Sequence, residues 1–192
     1  MEGEGVYPAR YINIQPDLPG GPWYHGRKLQ ITFTMPIECE LEGIDDEEYE
    51  LDGIENYNIL MIYGNEAIPI MHDSVVEALT AAGVDNLELF PAVLKDPTTG
   101  KEYSDFKAFN VVGLVSAVDL NSSRLMHKSS TIQHLDTDFE QLNLAVPESV
   151  TLNLFRLEEN CGAICVSEKV KAEIEKRNIP GIIFYASGEW SG

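Results

Sequence analysis

Between Ile164 and Tyr185 the chain spells out a helix from cap to stop, and then a strand. Ser167 is a suitable N-cap, since its hydroxyl can accept one of the backbone N–H groups left unpaired in a first helical turn. Glu168 follows where negative charge suits the positive end of the helix dipole. Val166, Val170 and Ile174 are four apart and share one face, while Lys169, Lys171, Glu173, Glu175 and Lys176 fall elsewhere. Asn178 tolerates the left-handed conformation that ends helices, and Pro180 forbids continuation. Ile182-Ile183-Phe184-Tyr185 then reads as a short apolar strand.

The same unit occurs earlier. A shift of 95 positions lays Met71 on Val166, Asp73 on Glu168, Val75 on Val170 and Leu79 on Ile174. Gly83 then meets Asn178, Val84 meets Ile179, Leu87 meets Ile182 and Leu89 meets Phe184, with no gap. The earlier copy also offers a capping box, Ser74-x-x-Glu77, which would start its helix two places later than the alignment does. Two amphipathic helix-to-strand units resemble one another whether or not they are a duplication, and two copies are too few for a solenoid. The repeat is architecture and carries no chemistry by itself.

Around these units the pattern is mostly strand. Residues 1–28 form an irregular arm with one strand, Tyr11–Ile14, whose Tyr7, Tyr11, Trp23 and Tyr24 anchor it to the core. Leu29–Thr34, Ile59–Tyr63 and Val150–Leu157 read as strands. Leu87–Leu94 and Tyr103–Val112 pair as a hairpin through the turn at Asp96–Gly100. Phe106–Leu120 continues as strand with a bend at Gly113, and Asn121–His134 is loop. The expected fold is a single α+β domain over residues 1–192. It is a mostly antiparallel sheet with two similar short helix-to-strand units packed on it.

Charge narrows function more than composition does. Thirteen Lys and Arg stand against 32 Asp and Glu, for a net charge of −19. Such a chain is repelled by nucleic acid and anionic membrane and attracted to cationic surfaces. No apolar run reaches the roughly 18 residues that span a bilayer, and the start, Met-Glu-Gly-Glu-Gly, is no secretory signal. Three cysteines at non-zinc, non-redox spacing fit a reducing cytoplasm. The negative charge is concentrated between Glu38 and Glu55, where Leu41, Ile44, Tyr49, Leu51 and Ile54 interleave with carboxylates. This run is either a solvated face or a docking surface for a basic partner. As a docking surface its charged part would be Asp45, Asp46, Glu47, Glu48, Glu50 and Asp52, with Tyr49 as an anchor.

Motifs for catalysis are scarce. His25, His72, His127 and His134 fall singly, so no metal site is expected. There is no Gly-rich phosphate loop or Walker pattern, and no nucleophile elbow, so no cofactor is expected. The strongest enzyme hypothesis would be a thiol site built from Cys161, Cys165 and His134. A small buried cysteine at a strand turn explains the same residues.

Leu154-Phe155-Arg156-Leu157, then Ile164-Cys-Val-Ser167-Glu168-Lys-Val170 and Ile179-Pro-Gly181-Ile-Ile-Phe184, resemble the C-terminal signature of a family of bacterial immunity proteins from polymorphic-toxin systems. Asp73-Ser-Val75 to Leu79, Leu89-Phe90-Pro91, Phe109-Asn110-Val111-Val112, and Val118-Asp119-Leu120 with Ser122 or Ser123 behind also fit. The resemblance covers about residues 60–185. It implies a cytoplasmic, non-enzymatic protein that binds and neutralises a cognate toxin domain, usually encoded next to it. No catalytic or contact residues come with it, and Phe155, Arg156, Ser167, Glu168, Gly181 and Phe184 are expected as fold determinants. The acidic stretch lies before residue 60, outside the resemblance. An adaptor or chaperone for a secreted effector is the remaining alternative.

Overall fold

The structure, a computed structural model, describes residues 11–15, 21–29, 33, 35–42, 59–60, 68–96, 99–126 and 137–191. The predicted acidic contact residues Asp45–Asp52 lie outside these, as do His127, His134 and most of the expected strand Leu29–Thr34.

The fold is α+β. Its strands are β1 (Tyr11–Gln15), β2 (Ile37–Glu42), β3 (Ile59–Leu60), β4 (Ile70–His72), β5 (Leu87–Asp96), β6 (Lys101–Val111), β7 (Leu114–Val115), β8 (Arg124–Leu125), β9 (Phe139–Gln141), β10 (Leu154–Leu157) and β11 (Ile164–Val166). The helices are α1 (Asp73–Ala81) and α2 (Glu168–Lys176). A six-stranded sheet runs β1-β2-β5-β6-β4-β3, a three-stranded one β11-β10-β7, and β8 pairs with β9. Most pairs are antiparallel as expected, but β2–β5 and β7–β10 are parallel, so both larger sheets are mixed.

The long hairpin β5–β6 is the spine of the large sheet. It closes at the expected turn, where Gly100 N–H donates to Asp96 O at 2.8 Å and Thr99 N–H to Asp96 Oδ1 at 3.3 Å. Strand alternation sends Ile70, Phe106 and Ala108 to one face, into a core with Trp23, Ile37, Ile68 and Leu94. Met71, Phe109 and Val111 go to the other face, against the helices. From the arm, Trp23 is fully buried and packs edge-on against Phe90, ring centroids 5.4 Å apart, as an anchor should.

The expected continuous strand Phe106–Leu120 divides at Gly113. Gly113 N–H donates to Gly26 O at 2.8 Å and its carbonyl accepts from Arg156 N–H at 2.9 Å. Having left the large sheet there, the chain joins β10 as β7. Asn86 Nδ2 holds the junction by donating to both Val112 O and Leu154 O.

The helix stops of the two units match bond for bond. Both helices have nine residues and begin and end at the aligned positions. Val84 N–H donates to Leu79 O and Gly83 N–H to Thr80 O. At the aligned positions, Ile179 N–H donates to Ile174 O and Asn178 N–H to Glu175 O. Both ends are thus Schellman motifs, with Gly83 (φ 80°) and Asn178 (φ 51°) supplying the left-handed residue. The equivalent apolar residues Met71 and Val166, Val75 and Val170, and Leu79 and Ile174 meet in one core where α1 packs on α2.

Two expectations about the helix starts are corrected. Helix α1 begins at Asp73, not after Ser74: its N-cap is His72, whose Nδ1 accepts from Ser74 N–H at 3.1 Å. Ser167 is the N-cap of α2, but its hydroxyl does not bond the helix. It donates instead to Asn153 Oδ1 at 3.0 Å, while Asn153 Nδ2 donates to Gly83 O at 3.2 Å. Asn153 therefore ties the start of the second helix to the stop of the first.

Ile182–Tyr185 is a third correction, since it is not a strand. In the first unit, β6 pairs with β4 on one side and β5 on the other. In the second, β10 pairs with β11 on one side, and β7 fills the slot that β5 holds in the first. The post-helix segment is left outside the sheet. Val150–Asn153 likewise stays irregular, and only Leu154–Leu157 is strand. No helix among the described residues is long and apolar enough to cross a membrane.

Candidate functional site

Three constellations of reactive or charged groups among the described residues bear on a candidate site. The first surrounds His72, which the sequence placed alone. Strand β4 delivers it beside β6, and its ring packs edge-on against Phe106. Ser74 Oγ lies 2.9 Å from Nδ1 and Asp105 Oδ2 lies 3.1 Å from Nε2. Distances alone suggest a hydroxyl–imidazole–carboxylate relay. However, Nδ1 has one lone pair, and it already accepts the backbone N–H of Ser74. With Nδ1 an acceptor, the ring proton sits on Nε2 and is donated to Asp105. The imidazole thus serves as the cap of α1, with Asp73 in the first turn held 2.8 Å from Lys107. His72→Ala should lower stability by about 1 kcal/mol, and His72→Asn, a strong N-cap, should restore most of it in urea titrations.

The second constellation is the cysteine turn. Cys165 lies in β11 against the core of Phe139, Phe155 and Leu157. Burial first, and nearby Glu159 second, push its thiol up to about 11. Burial pushes Cys39 to about 12. A nucleophilic thiol needs the reverse shift. No disulfide links the three cysteines. The predicted third member, His134, is outside the described residues.

Arg156 is the third. Only 1% exposed, it donates from Nη1 to Cys161 O at 2.7 Å and stacks its guanidinium 4.6 Å above the Tyr24 ring centroid. Burial lowers its affinity for the proton. Nε and Nη2 have no hydrogen-bond partner among the described residues, and each has less than 1 Å² of surface, so neither water nor an anion reaches them. Enclosed in this way, Arg156 acts as a packing residue. A buried cation this poorly compensated adds little stability. Arg156→Met should therefore keep the urea midpoint of the parent or raise it, whereas Arg156→Ala should lower it by opening a cavity.

The remaining resemblance motifs also resolve into structure. Asp119 accepts from Ser122 Oγ at 2.7 Å and Asn121 N–H at 3.0 Å, while Ser123 Oγ and Asn143 exchange hydrogen bonds behind it. The Ser122 hydroxyl, then the Asn121 N–H, hold this carboxyl below its usual range. A depressed folded-state value gives stability that is present above the unfolded carboxylate value, about 4, and is lost as pH falls from there through the lower folded-state value. The melting temperatures of the parent and Asp119→Asn should therefore converge as pH drops from 7 to 2.5. Gly181 takes φ 77°, and Phe184 packs on the two-helix core.

Among the described residues no group of His, Cys, Asp or Glu is arranged to hold a metal ion. No protein-family model matches the chain, and no curated protein matches it.

Proposed function

We propose that this chain is an immunity protein, which binds and neutralises the cognate toxin domain of a bacterial polymorphic-toxin system in the cytoplasm without catalysing a reaction. Surface charge carries the reading. Lys95, Lys107, Arg124, Lys171, Lys176 and Arg177 each already pair with a carboxylate of the same chain. Net charge is −19, so carboxylates far outnumber the cations of the chain that could pair with them. The resemblance of residues 60–185 supplies the class of partner, and the charge supplies its sign. A toxin that handles nucleic acid has the Lys/Arg surface this requires. The raised Cys165 thiol weighs against the thiol-enzyme alternative. Co-expression with the polymorphic toxin encoded beside it tests the reading. Survival of the cells and a one-to-one complex on sedimentation are expected. Cell death with no complex would overturn it.

A further inference from the structure

We propose that Ile182–Tyr185 is a docking edge that takes an antiparallel β-strand from a positively charged protein partner. Three observations converge on these four residues. Their side chains alternate: Ile182 and Phe184 pack on the core of α1 and α2, while Ile183 and Tyr185 are 49% and 58% exposed. Their backbone N–H and C=O groups make no hydrogen bond among the described residues. From Ile179 to Gly188 the chain carries no charge, within a protein of net charge −19.

The internal repeat identifies what such a segment takes. Leu87, Glu88 and Leu89, at the positions equivalent to Ile182, Ile183 and Phe184, pair antiparallel with Val111, Asn110 and Phe109. In the second unit β7 occupies the slot beside β10, so Ile182–Tyr185 keeps the β-forming sequence of a strand and lacks the neighbour. An extended chain laid alongside would satisfy the backbone groups, and its alternate apolar side chains would cover Ile183 and Tyr185. Charge selects the source. A second copy brings another −19 and is repelled, whereas a basic protein is attracted by the net charge of the chain and meets an uncharged segment. The sign of the partner rests on the proposed function; the strand-taking edge does not.

A synthetic strand tests it, the blocked peptide Lys-Thr-Val-Thr-Val-Thr-Lys titrated into the whole protein and followed by amide NMR shifts. Saturable shifts centred on residues 182–186 are expected, and N-methylation of alternate peptide N–H groups should abolish them. The double variant Ile183→Asp with Tyr185→Asp, both at exposed positions, should weaken binding by about tenfold or more, the scale of a lost anchor, with an unchanged melting temperature. Several results would overturn the proposal: no shifts up to the solubility limit of the peptide, or shifts insensitive to N-methylation. Equal binding of a Glu-flanked peptide, or a dimer in sedimentation that the double variant dissolves, would do so too. None of these would touch the immunity reading, which stands on cell survival.

Discussion

Gly26→Ala is expected to lower stability by about 3 kcal/mol in urea titration, out of proportion to one added methyl group. Two costs combine. Gly26 sits at φ +64°, where an L-residue with a Cβ loses about 1–2 kcal/mol. The added Cβ would also stand 2.7 Å from Leu114 Cβ and 3.0 Å from the Gly113 carbonyl carbon and oxygen. None of those atoms is the far end of a flexible side chain, so the arm must lift or β7 must shift. Overpacking of this kind costs about 1–3 kcal/mol more. Lifting the arm would withdraw the Gly26 carbonyl from Gly113 N–H and the Tyr24 ring from Arg156. Gly100→Ala is the control, because Gly100 has φ +70° and nothing within 4 Å of an added Cβ. It should lose only the conformational part. Equal losses for the two variants would mean that the close approach of arm and small sheet contributes nothing.

The parts of this fold that could be read in the sequence are those fixed by neighbours along the chain. Both helices stop where Gly83 and Asn178 predicted, because a Schellman motif is built within six consecutive residues. The hairpin β5–β6 followed from the Asp96–Gly100 turn. Strand β2 was hidden by its own charge: Ile37, Cys39 and Leu41 alternate in sequence with Glu38, Glu40 and Glu42, a period-two pattern that reads as strand. Its inner residues Ile37 and Cys39 are buried, and Glu38 reaches Lys95 at 3.0 Å.

Competition between distant segments was not legible. Nothing local in Ile182–Tyr185 reveals that Leu114 and Val115 have taken the position beside β10. The hydroxyl of Ser167 could not be assigned either, since its partner Asn153 lies in another loop. The imidazole of His72 caps a helix through a bond to Ser74 two residues away, which local spacing does permit, but histidine is an uncommon cap. The candidate contact residues rested on charge density alone, and charge density gives the sign of a partner without giving the geometry that would receive it.

Reversing Asp45, Asp46, Glu47 and Glu48 to lysine should slow association with the proposed toxin partner about 10- to 1,000-fold at low salt, the range over which electrostatic steering acts. The dissociation rate should change far less, because charges at the rim of an interface guide encounter while buried contacts hold the complex. At about 0.1 M salt the screening length is about 10 Å, so the parent's association rate should fall steeply with added salt and the variant's, which keeps most of the negative charge, less steeply. Tyr49→Ala should show the opposite kinetic signature, faster dissociation with unchanged association, if an aromatic anchor sits among the carboxylates. Stopped-flow binding over a salt series separates the two. If the fourfold reversal leaves both the rate and its salt slope unchanged, the partner is held by another face of the molecule. The uncharged edge at Ile182–Tyr185 is then the surface to map, since it would hold a partner through backbone pairing and apolar cover.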